Sequence, residues 1–210
     1  MQELPQILKD VLAAGHLIFD TGDYDINLIG VRNPNGQPDK YDDILFVVYK
    51  KNGLWQVESF QITTDPGLYF LKNPINVLGT AILCPGQYRS VYRVDYHRGK
   101  YKALCQRRPV KCFRDNNRDK IIDMNAGSTS TGLYGVNLHR SHADYEVDTI
   151  GRYSAGCQTL RRAEDLDRVL HLVDMQFKTH PDWDKAVTYT LLAPDKKGPA
   201  AKGKKKTPKK

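Results

Sequence analysis

One thiol in the chain has neighbours suited to covalent chemistry. Cys157 closes the run Ser154-Ala155-Gly156-Cys157-Gln158, whose small residues let backbone amides come close to a bound carbonyl. His139 lies 18 residues upstream, in Tyr134-Gly135-Val136-Asn137-Leu138-His139-Arg140. The thiolate is the nucleophile, and a free cysteine with a pKa of ~8.5 is only slightly ionised at neutral pH. An imidazole within reach takes the proton, holds the thiolate as an ion pair and later returns the proton to a departing amine. Amides around Gly156 and Cys157 would hold the oxyanion, each well-aimed donor contributing about 3–4 kcal/mol. The set predicts acyl transfer through a thioester. It also predicts that Cys157 is more acidic than Cys84, Cys105 and Cys112, which read as small buried hydrophobes.

These residues resemble the L,D-transpeptidase catalytic domain family of the YkuD type, whose signature is a histidine followed at a similar distance by Ser/Thr-His-Gly-Cys. His139, Ser154, Gly156 and Cys157 stand at the matching positions. Upstream, Ile62-Thr63-Thr64-Asp65-Pro66-Gly67 and Cys84-Pro85-Gly86-Gln87-Tyr88 are similar to the family's strand end and its Thr-Pro-x-Gly-x-Phe/Tyr turn. The matches span about residues 60–160, half of the chain. Asn-Leu-His-Arg followed by Tyr-Ser-Ala-Gly-Cys-Gln resembles a divergent branch met in bacteriophage and Bacteroidota sequences.

The resemblance implies a β-sandwich-like mixed sheet, a Cys–His pair at the mouth of a cleft, no cofactor, and peptidoglycan stem peptides as substrate. Bonds involving a diaminopimelate-type third residue would be formed or hydrolysed through an acyl-enzyme. It implies Cys157 as nucleophile, His139 as base, Gly156 as oxyanion contributor and Ser154 as a brace for the loop. Asn137, Arg140, Tyr134 and Arg161 are the candidates for holding substrate. Two positions depart from the signature: Ala155 replaces its second histidine, and Thr159 replaces an arginine, with Arg161 and Arg162 displaced nearby. The group that orients His139 is open among Asp144, Asp148, Ser141 and a backbone carbonyl.

The elements that must position these residues are mainly strands. Apolar, β-branched and aromatic runs at Ile44–Tyr49, Trp55–Ile62, Val91–Tyr96, Val110–Phe113 and Tyr134–Leu138 alternate with Gly/Pro/Asn turns. In the last run, Val136 and Leu138 share one face, so a core on that side leaves His139 pointing away from it. A helix is predicted over Leu4–Ala14, another from about Ala163 to Lys178, and a final strand over Ala186–Leu192. The predicted class is a single mainly β domain with flanking helices: a helical lead-in over 1–19, the domain over 20–193 and a disordered lysine-rich tail over 194–210.

Charge follows the same division. Of 32 basic residues, eight lysines lie after Asp195, leaving residues 1–195 with 24 basic and 24 acidic side chains. The tail, not the body, is the candidate polyanion contact. No apolar run is long enough to cross a bilayer as a helix, and the first twenty residues lack the pattern of a secretory signal. Action at the cell wall would then need delivery by lysis or in a virion.

Asp115, Asn117, Asp119 and Asp123 fall at calcium-loop spacing, but the loop has Lys120 where a glycine and Ala126 where a bidentate acid belong, so an Asx-rich turn is the simpler expectation and no metal is assigned. His97 is expected at a solvent-facing hairpin tip and His142 in a loop near the cleft; His16, His171 and His180 have no assigned chemistry. Two rival functions remain: a catalytically inactive virion or nucleic-acid-associated structural protein working through its basic tail, and a cysteine peptidase acting on a protein.

Overall fold

The computed structural model describes residues 2–125 and 127–193, so the lysine-rich tail and Ala126 of the calcium-type loop lie outside the described residues. In chain order the elements are α1 (Gln6–Ala13), β1 (Asn27–Val31), β2 (Asp43–Lys51), β3 (Leu54–Thr63), α2 (Leu68–Lys72), β4 (Thr80–Leu83), β5 (Gly86–His97), β6 (Tyr101–Gln106), β7 (Val110–Asp115), β8 (Thr129–Gly132), β9 (Leu138–Arg140), β10 (Gln158–Leu160), α3 (Ala163–Thr179) and β11 (Val187–Leu192). Four of the five β-branched and aromatic runs become strands, and the fold is mainly β with flanking helices.

The larger sheet closes on itself. Its order is β1-β11-β5-β6-β9-β10-β3-β2, an eight-stranded barrel, with β4-β7-β8 forming a separate three-stranded sheet. Closure, where a sandwich of mixed sheets was expected, follows from β1 being paired on both edges: parallel to β11 (Leu28↔Tyr189) and antiparallel to β2 (Leu28↔Val47). Gly30 permits the close approach, since a Cβ there would meet the Tyr189 hydroxyl at 1.9 Å. The β2–β3 hairpin turns through Asn52 and Gly53, both at positive φ as a tight two-residue turn requires. Asp23 accepts both of their N–H groups.

The helices cover apolar surface that the barrel leaves open. In α3, Leu166, Val169, Leu172 and Val173 recur at helical spacing and are buried. The helix packs on β6, β9 and β10, the strands that carry the site. Each such side chain removed from water contributes about 1.5–3 kcal/mol before entropy is charged against it. In α1, Leu8 and Val11 pack with Ile29, Val48, Trp55 and Leu192.

One predicted strand is mostly absent. Gly135 adopts φ +70°, which ends extended backbone there, and only Leu138–Arg140 is strand. Its alternation also does not expose His139. With β6 and β10 on either edge and α3 packed across, Leu138 and His139 are both buried, at 0% and 3% exposure.

Candidate active site

Parallel pairing of β9 and β10 sets the geometry. Thr159 lies opposite His139 and Gln158 opposite Leu138. The Gln158 N–H donates to the Asn137 carbonyl at 2.9 Å, carrying the register one residue further so that Cys157 falls beside Asn137. Side chains two apart on a strand share a face, so Asn137 and His139 stand alongside Cys157 and Thr159. Cys157 lines a cavity of about 270 Å³ together with His97, Arg98, Tyr134, Asn137, Ala155 and Gly156.

The loop leading to the thiol is tightly held. Gly156 sits at φ +115°, and a Cβ there would meet the Ala81 carbonyl oxygen of β4 at 2.1 Å, so no other residue fits without moving backbone. The Ser154 hydroxyl is fully buried within hydrogen-bond distance of the Asp65 and Cys157 carbonyls, at 3.0 and 2.9 Å. The same oxygen accepts the Gly156 N–H at 3.2 Å, while the Ser154 carbonyl accepts from the Gly67 N–H. The Gly156 amide is therefore committed inside the loop and is not an available oxyanion donor, contrary to expectation. The Cys157 N–H has no hydrogen-bond partner among the described residues and is the amide left to serve.

Cys157 and His139 are on one face but are not hydrogen-bonded. The Cys157 thiol donates to the Gly135 carbonyl at 3.3 Å. His139 Nδ1 lies 2.7 Å from the Arg140 carbonyl oxygen, which only accepts, so this nitrogen carries the proton. That carbonyl orients His139; neither Asp144, Asp148 nor Ser141 hydrogen-bonds the ring. The Tyr101 hydroxyl donates to the same carbonyl at 3.2 Å. His139 Nε2 thus holds the lone pair, facing the Thr159 hydroxyl at 3.3 Å. The position where the signature has an arginine instead supplies a hydroxyl to the imidazole.

Electrostatics make the resting pair neutral. Burial, reinforced by the neighbouring His97, lowers His139 to about 3. Burial pushes the Cys157 thiol up to about 11, against the opposing pull of the Asn137 N–H and the Arg98 guanidinium. Cys157 keeps some exposed surface while its sulfur lies deep enough to lose most of its hydration. The expected acidic thiol in an ion pair is therefore not the resting state, because no imidazolium sits against the sulfur to offset desolvation. Cys84, Cys105 and Cys112 are buried free thiols, and burial raises each of them too.

His97 is the residue that sequence reasoning misplaced. It ends β5 at a hairpin, yet it is only 7% exposed and its ring stacks on His139, with centroids 4.2 Å apart. Asn137 fixes it: the Gln106 N–H donates to Asn137 Oδ1 at 2.8 Å, which turns Asn137 Nδ2 toward His97 Nδ1 at 3.0 Å. His97 Nδ1 accepts, so in the neutral ring the proton sits on Nε2. Burial holds His97 neutral, near 4. The linear signal was absent, since the hairpin brings His97 to Asn137 across 40 positions.

The remaining candidates divide. Tyr134 lines the cavity and lies under the Arg114 guanidinium, 4.0 Å from its ring centroid. Arg140 lies over the Tyr101 ring at 4.1 Å and is not part of the cavity wall. Arg161 is occupied elsewhere, donating to the Val147 carbonyl, Gln61 and Asp148 and paired with Glu146, so it pins the 141–149 loop instead of offering a substrate contact. In the calcium-type loop, Asp115 accepts from the Asp123 N–H, Asn117 from the Asp119 N–H and Asp119 from the Ile121 N–H, while Asn117 donates to Asp123. Most of those oxygens are engaged in hydrogen bonds within the loop, Asp115 Oδ1 being buried without a partner, and no group of three or more His, Cys, Asp or Glu placed to hold a metal occurs among the described residues. No helix of the described residues is long and apolar enough to cross a membrane.

Compared with known proteins, the chain matches no family model, no curated protein and no solved structure.

Proposed function

We propose that this chain is a peptidoglycan-modifying cysteine acyl-transferase or peptidase of the L,D-transpeptidase type, acting on stem peptides through a Cys157 thioester that water resolves. The observation that carries the reading is the β9–β10 register. It supports the reading by aligning His139 with Thr159 on the same face as Cys157, which lines a walled cavity that His139 backs without lining, and whose N–H has no other partner among the described residues. The signature resemblance supplies the substrate class, and delivery by lysis or in a virion would bring the protein to the wall.

The chemistry follows from the two neutral groups. As sulfur attacks the scissile carbonyl, the thiol proton passes to His139 Nε2, which the Thr159 hydroxyl must release. The oxyanion forms against the Cys157 N–H. Collapse breaks the C–N bond, and the imidazolium returns its proton to the leaving amine. Water then attacks the thioester and gives a proton to His139. Expulsion of the sulfur releases the carboxyl product and regenerates the thiol.

A structural protein working through its lysine-rich terminus is the second reading, favoured by one observation: the thiol hydrogen-bonds the Gly135 carbonyl, not an imidazole. Incubation with muropeptides separates the two. The enzyme predicts products from wild type and from a chain truncated after Pro194, and none from Cys157→Ala. No products from wild type, with polyanion binding lost on truncation, would establish the structural protein instead.

A further inference from the structure

The cavity beside Cys157 is lined by an imidazole with a defined proton, that of His97. His97 Nδ1 is occupied by Asn137, whose own orientation is set by a backbone N–H that can only donate. His97 Nε2 has no hydrogen-bond partner among the described residues, and it is not one of the buried unpartnered polar atoms. The ring lines the same cavity as Cys157 and the free Cys157 amide. His97 and His139 therefore present opposite ends to chemistry: His139 has a lone pair on Nε2, whereas His97 has an N–H there.

We infer that His97 is a catalytic residue that donates its Nε2–H to the carbonyl oxygen under attack, completing with the Cys157 amide a two-donor oxyanion site. The inference deepens the acyl-transfer reading and rests on it. His97 is not a base here, because accepting a proton at Nε2 would require breaking the Asn137 bond and shifting the ring tautomer. A neutral imidazole suits the role, since it donates a hydrogen bond to developing negative charge without giving up its proton. No bond to His97 forms or breaks. Asn137 is the positioning residue, acting through His97.

The test uses the full chain with p-nitrophenyl acetate as acyl donor and iodoacetamide as alkylating agent, with Cys157 modification followed by intact mass. Acetylation passes through an oxyanion and alkylation does not. We expect His97→Ala to slow acetylation about a hundredfold, the usual effect of losing one such donor, and to leave alkylation within about twofold. His97→Gln, which keeps an N–H, should recover part of the rate. Imidazole ¹⁵N spectra of the wild type should show the Nε2–H tautomer at His97, a reading that needs no variant to fold.

Unchanged acetylation in His97→Ala, an equal fall in both reactions, or an Nδ1–H tautomer would each overturn the assignment. If muropeptides are untouched while acetylation still depends on His97, the peptidoglycan substrate falls and the donor role stands. If Cys157 in the folded chain acetylates no faster than in urea, both fall together.

Discussion

The imidazole of His97 lies on that of His139 with 4.2 Å between centroids and 23° between planes, and neither ring carries a charge at neutral pH. Two stacked histidines tolerate this closeness only while both stay unprotonated, and each is held in its tautomer by a different partner: the Arg140 carbonyl for His139 and the Asn137 amide for His97.

Acid sensitivity follows. Burial lowers His97 to about 4 and His139 to about 3 from an ordinary 6.5. With folded values depressed, their stabilising contribution is whole above the unfolded value of 6.5 and is lost as the pH falls through that range toward 4 and 3. Asp43, raised by burial to about 6, works in the opposite sense, as do Asp65 and Asp115, which burial also raises: their contribution is present at low pH and lost as the pH rises. Urea unfolding between neutral pH and about 4.5 should show a loss of stability toward acid with a shallower slope in His97→Gln than in the wild type. An unfolding midpoint that does not move over that range would contradict the assignment of buried neutral rings.

Thiol reactivity should rise late. Alkylation of Cys157 should climb toward a midpoint near 11, and Arg98→Gln should move it higher by removing a charge that favours the thiolate. His139→Ala should leave that midpoint nearly in place, since the sulfur is hydrogen-bonded to the Gly135 carbonyl and not to the ring. A midpoint below the ordinary cysteine value would show that an imidazolium does reach the sulfur in solution.

Arg32 is expected to be a large stability determinant. It is 3% exposed, pairs with Asp65 at 3.1 Å, and donates to Thr64 and to the Leu83 carbonyl, joining β1 to the end of β3 and to β4. Arg32→Met should cost roughly 3–5 kcal/mol by stranding a buried carboxylate. Because the Asp65 carbonyl is a partner of the Ser154 hydroxyl, Cys157 alkylation should also change in this variant. A stability loss under about 1 kcal/mol would mean that Asp65 is protonated and needs no partner.

Gly156→Ala combines an unfavourable φ with a collision against the Ala81 carbonyl. A loss of roughly 3 kcal/mol is expected in thermal or denaturant unfolding. Acylation of Cys157 should fall with it, since the amide beside the sulfur must shift. Wild-type stability in this variant would rule out the described approach of the loop to β4.

Thr159→Val removes the hydroxyl that, among the described residues, faces His139 Nε2. Leaving that nitrogen unpartnered in a buried site should cost about 1–3 kcal/mol, and Thr159→Ser should restore most of it. If the lone pair must be freed for catalysis, the valine variant keeps or gains acylation rate per folded molecule. A lost rate would show instead that the hydroxyl itself carries the proton.

Much of the frame was legible because it rests on local pattern. The stripe Leu166, Val169, Leu170, Val173 and Phe177 announces α3, and Asn52-Gly53 announces the hairpin that fixes β2 against β3. The nucleophile loop was legible for a similar reason, since Ser154 and Gly156 flank Cys157 within four residues. Contacts made across the chain were not. His97 looked like a solvent-facing tip because nothing in its own neighbourhood reveals Asn137 or His139. Arg161 looked free because its partners Glu146 and Asp148 sit in a loop whose path composition does not specify. Short β4, β8 and β10 gain their regularity from neighbouring strands more than from their own three or four residues.

Ring closure by β1 and β11 bears on how the protein is made. Leu28 is synthesised well before its parallel neighbour Tyr189, which belongs to the last described strand. Until that strand leaves the ribosome, β1 and β5 each expose an unsatisfied row of backbone groups. Emerging chains are then open to pairing with one another. Production yield should therefore depend on translation speed and chaperone supply more than the stability of the finished barrel would suggest.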